Sequence, residues 1–244
     1  MIKSKKLAVI TIHKGKLKHL KKTLSSVDSQ IIKPDLHVVI IHHIGFNHSK
    51  IFEKKYRKII ISKDKSIFEA LNIGIKYTNN YNIIFLNSGD TLYNNNSIKL
   101  IRSNICGIKC VIFKAIIVRK KILYYPTKNF FNDKNYSPHP SFVRPPTKNK
   151  LFFQISPKIF ADSLWMMECR KRYGFRKIDK IVSKFYLHET AASSVPSIKS
   201  MKWHFNYSLK DFIKEFIKFF LFLLIGKDKY HDFIYYNKFY RVKK

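Results

Sequence analysis

Residues 64–90 read DKSIFEALNIGIKYTNNYNIIFLNSGD, and the order of patterns within them leaves few folds open. Ile67, Ala70, Leu71 and Ile75 recur at helical spacing, with Ile73 less regular, so the spacing predicts a helix with one apolar face. Asn79 and Asn80 break that period. Residues 82–86, NIIFL, are then apolar without alternation, which marks a short strand covered on both faces, as a central parallel strand is. Asn87, Ser88, Gly89 and Asp90 follow as a turn that presents one carboxylate at the strand's C-terminal edge. Open α/β sheets bind their ligands at that edge.

The alternation extends back to the start of the chain. LAVITI at 7–12, HVVII at 37–41 and residues 56–61 read as strands, and residues 16–30 place Leu17, Leu20, Leu24 and Val27 on one helical face. Such alternation predicts an α/β fold with a mostly parallel sheet, flanking helices and right-handed crossovers. Further on, the pattern predicts a helix at 97–105, a hairpin of 109–118 with 122–125, a mobile loop at 129–136 and a strand at 141–144. A helix within 158–172 ends at Tyr173 and Gly174, and a closing hairpin is expected from 178–181 and 183–187. The 244 residues suit one such domain over 1–200, with an appendage over 201–244.

Charge narrows the partners. With 48 Lys and Arg against 15 Asp and Glu, the chain carries +33, spread along its length. That field favours phosphate-rich or anionic partners: nucleic acid, acidic lipid or a nucleotide. A general bias toward Lys, Ile and Asn accounts equally for many merely solvated lysines. No RNP-type motif, zinc-finger spacing or basic helix with heptads is present, so nucleic acid is not expected. Three cysteines form neither a disulfide framework nor a zinc spacing and fit a reducing compartment, the cytoplasm. The apolar run near the N-terminus stops at Ile12, short for a signal peptide, and reads better as a strand.

The run from Asp64 to Asp90 resembles the central segment of GT-A-fold family 2 glycosyltransferases, in particular the branch that builds bacterial surface polysaccharides of the colanic-acid and lipopolysaccharide type. The pattern there is D-K-G-I-Y-D-A-M-N-K-G-I, a spacer, a strand and L-N-S-G-D. Asp64, Lys65, Ile67, Phe68, Ala70, Asn72, Gly74 and Ile75 stand in register, as do Leu86, Asn87, Ser88, Gly89 and Asp90. SPHPSFVRP is similar to the family's H-Q-S segment, with Pro140 for the usual Gln, and Ala161-Asp162 matches its A-D ahead of a helix.

The resemblance implies an inverting transferase that moves a sugar from a nucleotide donor, UDP-hexose or UDP-N-acetylhexosamine, to a growing surface glycan or lipid-linked acceptor. It implies Mg²⁺ or Mn²⁺ on the diphosphate at Asp90, with His188 in reach, and Asp162 as general base. Thr11, His13, Asp64, Asn72, Ser88 and Gly89 would contact the nucleotide sugar, and His139 and Glu168 the acceptor. Bland readings stand beside these: Asp162 as a helix cap, Asn72 as a brace for the turn at Gly74, His188 in a polar loop. The family's acid after the second strand is absent from HVVIIHHIGFNHSK, and Ser88 stands where a fuller D-x-D has its first Asp. His42, His43 and His48 form a basic loop rather than a metal site. These departures feed a second reading, an inactive GT-A-fold partner protein.

Residues 209–224 are apolar at helical spacing, with Lys210, Asp211, Lys214, Glu215 and Lys218 on the other side. The run is too short to span a bilayer. An amphipathic helix on an anionic membrane surface is expected, at the inner face of the cytoplasmic membrane, with packing on the domain or on a second subunit as the alternative.

Overall fold

The apolar runs of the first 86 residues lie side by side. β1 (Leu7–His13), β2 (Leu36–His42), β3 (Arg57–Ser62) and β4 (Asn82–Phe85) are parallel, in the order β3-β2-β1-β4. The computed structural model describes residues 5–42, 53–119, 121–133, 136, 138–147, 149, 151–155, 161–187, 196, 198–205, 208–236 and 238–243. They form two units, Met1–Ile116 with Lys134–Phe185, and Ile117–Asp133 with Tyr186–Lys244.

In the first unit β1 and β4 are buried along their whole length, which is why neither alternates polar and apolar residues. The crossover helix α1 (Leu17–Asp28) turns Leu20, Thr23, Leu24 and Val27 inward. α2 (Ile67–Lys76) starts at Ser66, whose hydroxyl accepts from the Glu69 N–H at 3.1 Å, while the Glu69 carboxylate accepts from the Lys65 N–H at 2.7 Å. This is a reciprocal cap close to the capping box. Gly74 lets α2 approach the sheet: a Cβ there would lie 2.5 Å from Ile10 Cγ2.

The chain steps outward from β1 to β2 to β3, then crosses back to place β4 on the far side of β1. That reversal is a topological switch, and a crevice opens at the C-terminal ends of the strands beside it. Beyond β4 the sheet is mixed: β8 (Phe142–Arg144) runs antiparallel to β4, and β6 (Cys110–Arg119) antiparallel to β8. β5 (Thr91–Leu92), which has no counterpart in the sequence reading, pairs with β9 (Phe175–Tyr186). α3 (Ser97–Asn104) and α5 (Ala161–Tyr173) complete the unit.

Two expectations need correction. The closing hairpin is a single twelve-residue strand, β9, because Val182 continues the strand, wholly buried, where a turn was expected. The mobile loop at 129–136 is structured where it is described: Tyr136 is buried and its hydroxyl accepts from the Ala115 N–H at 3.0 Å, and α4 (Lys128–Asn132) starts at Thr127, whose hydroxyl accepts from the Phe130 N–H at 3.2 Å.

In the second unit the end of β6 forms the expected hairpin with β7 (Ile122–Pro126). β10 (Phe239–Lys243) adds to β7, with Tyr240 stacked on Tyr125 at 5.1 Å, so the basic aromatic tail ends as a strand. α6 (Ile198–Phe205) and α7 (Leu209–Tyr236) lie between, and α7 is broken at Gly226, where φ is +73°.

Candidate active site

The crevice at the switch point holds a cavity of about 480 Å³, lined by Ile12, His13, Lys14, Asp64, Lys65, Ser66, Ile67, Phe68, Ala70, Asn87 and Ser88. Its size lies within the range of about 300–1,000 Å³ typical of small-molecule sites. The walls are the end of β1, the loop from β3 into α2, and the turn after β4. Lys14, Lys65 and the N-terminal end of α2 make it electropositive, a setting for an anionic ligand. A concavity of about 500 Å³ beside β3, lined by Glu53, Lys54, Lys55, Arg57, Lys58 and Ile59, is an open surface depression away from the switch.

The turn after β4 is held rigidly. Thr23 of α1 accepts from the Gly89 N–H at 2.8 Å and donates to the Asp90 carbonyl at 2.7 Å. Gly89 takes φ of +106°, which a side chain would strain. Ser88 donates its N–H to the Ile12 carbonyl at 3.1 Å, and its hydroxyl meets His13 Nδ1 at 2.8 Å. The ends of β1 and β4 are thereby fastened together. Burial and the nearby charge of His19 keep the His13 pKa below its usual value. Thr23 escaped the sequence reading, although a lone polar residue between Leu20, Leu24 and Val27 on a buried helix face was its signal.

Asp64 is 8% exposed, and its Oδ2 lies 3.4 Å from His42 Nδ1. Its other oxygen, Oδ1, is buried with no hydrogen-bond partner, as is Asn87 Oδ1. Leaving a buried acceptor unmade costs on the order of 1–3 kcal/mol, so both oxygens are destabilising as they stand. His42, at the end of β2, thus lies beside an acid supplied by the loop after β3.

Thr11 and Asn72 do not line the cavity. Thr11 is wholly buried and pairs with His37 Nε2 at 2.9 Å, while His37 Nδ1 accepts from Arg57 Nε at 3.2 Å. Burial first, then the Arg57 charge, hold His37 neutral, so its Nε2–H donates to Thr11. The chain continues to Asp28, which pairs with Arg57 and accepts from the Tyr56 hydroxyl at 2.6 Å. Asn72 clamps the backbone of Phe153 from both sides, donating to its carbonyl at 2.9 Å and accepting from its N–H at 2.7 Å.

That clamp orders a cluster of rings beside the end of β4. Phe153 stacks on Trp165 of α5 at 4.6 Å, and Phe85 of β4 meets Trp165 edge-on at 5.3 Å. The Trp165 indole N–H donates to the Leu151 carbonyl at 2.8 Å. Phe68, which also lines the cavity, lies 5.7 Å from Phe153. His139 stacks flat on Phe85 at 4.9 Å, with a buried Nε2 that has no partner. Burial lowers its pKa, and the Asp162 carboxylate pulls the other way, which places Asp162 in electrostatic reach. Asp162 lies in the first turn of α5, half-buried, accepting from the Ser163 N–H at 2.8 Å. Glu168 is bonded instead to Arg172 at 2.6 Å, and six residues further along the helix it occupies a different face from Asp162.

Asp90 is buried, 4% exposed, and does not line the cavity. Among the described residues no three His, Cys, Asp or Glu side chains stand where they could share a metal. The turn nevertheless offers oxygen donors, the Asp90 carboxylate and the unsatisfied Asn87 Oδ1. Oxygen atoms of these kinds are what a hard divalent ion takes. His188 lies outside the described residues.

No family model and no curated protein sequence matches the chain. Solved structures do. Staphylococcus aureus TarS (residues 1–349) in complex with UDP-GlcNAc superposes with a TM-score of 0.61 at 18% identity, over 81% of this chain and 65% of that one. The mannosyltransferase PcManGT from Pyrobaculum calidifontis, in complex with GDP-Man and Mn²⁺, gives 0.51 at 11% identity, over 82% and 59%. The fold is that of GT-A glycosyltransferases. The chain spans less than two thirds of the length of these relatives in fold. At such identities the likeness extends to the GT-A fold and no further.

Proposed function

We propose that the chain is an inverting glycosyltransferase that uses a nucleotide-sugar donor, UDP-hexose or UDP-N-acetylhexosamine, to extend a bacterial surface glycan on a lipid-linked acceptor. One observation carries the reading: the cavity at the switch point of a GT-A fold is electropositive, and two of the residues that line it, Asp64 and Asn87, each hold a buried Oδ1 without a partner. A nucleotide offers the base N–H and ribose hydroxyls that such oxygens require. Asp64 takes the base or ribose, with His42 Nδ1 lying 3.4 Å from its other oxygen. Thr11 acts at a distance, fixing the strand that carries His13. Lys14, Lys65 and the α2 N-terminus face the diphosphate, and Ser88 and Gly89 shape the turn against it.

In the transfer, the acceptor hydroxyl oxygen attacks the anomeric carbon and the bond from that carbon to the diphosphate oxygen breaks, inverting the centre. Asp162 takes the hydroxyl proton as the new bond forms. His139, held neutral beside it, orients the acceptor or the carboxylate through its free Nε2. Asp90 would hold Mg²⁺ or Mn²⁺, which when bound neutralises charge on the leaving diphosphate. Glu168, tied to Arg172, borders the acceptor side at most.

Thermal-shift titration with UDP, UDP-N-acetylglucosamine and GDP-mannose, with and without Mn²⁺, tests the donor claim. A ligand at 100 times its Kd stabilises by about 2.7 kcal/mol, and Asp64→Asn should erase most of that for the true donor. No shift with any nucleotide would sink the reading. The second reading, an inactive GT-A-fold partner, draws on the burial of Asp90 away from the cavity lining. Nucleotide binding without donor hydrolysis or transfer, unchanged by Asp90→Ala, would favour it.

A further inference from the structure

In α7 the side that faces water is the apolar one. The segment before the break at Gly226 carries Ile213, Phe216, Ile217, Phe220, Leu223 and Leu224, which are between 48% and 67% exposed. At 100° per residue these six fall within a sector of about 120°, one continuous stripe. The other side of the helix packs: Glu215 is 8% exposed and bonded to Lys218 at 3.0 Å, Phe212 lies edge-on to Phe205 at 5.2 Å, and Phe222 to Tyr230 at 5.7 Å. A surface helix ordinarily turns its apolar stripe to the core. An exposed patch of this kind marks a surface that something covers.

Charge selects what covers it. Exposed Lys210 and Lys214 lie along one edge of the stripe, and the chain carries +33 in all. A second copy would bring the same positive field against it, whereas an anionic bilayer attracts it. Length selects the mode. The segment from 209 to the break is about 25 Å long, and no described helix is long and apolar enough to cross a membrane. Two phenylalanines at the middle of the stripe with lysines at its edge are the arrangement of a helix lying in the interface, lysines reaching up to headgroups.

We propose that the exposed face of α7 over residues 209–225 embeds, lying flat, in the headgroup–acyl boundary of an anionic bilayer. The inference stands on the second unit alone, whether or not the first transfers a sugar. The test is flotation of the full chain with vesicles of phosphatidylcholine alone or with about 30% phosphatidylglycerol, composition chosen for its surface charge. The wild type should float with the anionic vesicles, and Phe216→Ser with Phe220→Ser should lower its partition at least about tenfold. Both positions are exposed, so the double variant should melt as the wild type does. A second variant, Ile217→Trp, reads insertion directly through a blue shift of its emission on adding anionic vesicles. Absence of flotation, flotation undiminished in the double variant, or no blue shift overturns the proposal. So does a dimer in sedimentation that the double variant dissolves while vesicles capture neither form.

Discussion

Phe113 of β6 is wholly buried, whereas Phe216 of α7 is 52% exposed, although both sit in long apolar runs, VIFKAIIV and FIKEFIKFFLFLLI. The contrast holds across the two units. Of the twenty large hydrophobic side chains exposed among the described residues, twelve belong to the second unit, which is the smaller. The first unit has a sheet with cover on both sides, so its apolar residues go inward. In the second, α7 has a packed side around Glu215 and Tyr230 and leaves its stripe outside. Apolar content therefore does not say where a residue lies; the cover available to it does.

The largest effect expected concerns chemistry and is confined to the first unit. Asp162→Asn should lower transfer about 10²–10⁴-fold while leaving nucleotide affinity intact, read by turnover beside calorimetric titration. A variant that keeps its rate would remove the general base from that unit. Stability tests the contrast itself. Phe113→Ala should cost about 3–5 kcal/mol in urea unfolding, and Phe216→Ala no more than about 0.5 kcal/mol in buffer without lipid. Equal losses would mean that the stripe is covered and the two units do not differ.

Gly74→Ala probes how tightly α2 is seated, since its Cβ would meet Ile10 Cγ2 at 2.5 Å. A cost of about 1–3 kcal/mol is expected, with a lowered urea midpoint. The smallest effect is with pH. His13, His37 and His139 of the first unit have pKa values held below the ordinary 6.5, chiefly by burial. The unfolded chain takes up protons near 6.5 that the folded chain refuses, so stability is full above that pH and declines below it. The slope is no more than about 1.4 kcal/mol per pH unit for one histidine. Melting temperatures between about pH 7 and 5 should fall, and His37→Gln should flatten the decline; a rise on acidification would reverse the sign argued here.

Much of the first unit was legible because its signals are local. Helix α1 and strands β1 to β4 appear within a residue or two of where periodicity puts them, and the capped start of α2 is written in Ser66 and Glu69. What escaped notice depends on distant partners. β5 is two residues long and exists because β9 pairs with it. β10 reads as a basic tail and is a strand because β7 offers an open edge. In the site, Asn72 could be named but its role could not, since Phe153 lies 81 positions away. The meeting of His42 with Asp64 is likewise a contact between neighbouring strand ends.

The amino-acid order alone determined the α/β alternation, the turn of Asn87 to Asp90 at a strand's end and the amphipathic period of residues 209–224, because each rests on spacing within a few turns of chain. Tertiary structure decided which acceptor oxygens are left buried without partners, what Thr11 and Asn72 hold, and that the apolar side of α7 faces outward. Those outcomes depend on how well each group's neighbours satisfy or cover it, and the neighbours are brought there by the fold.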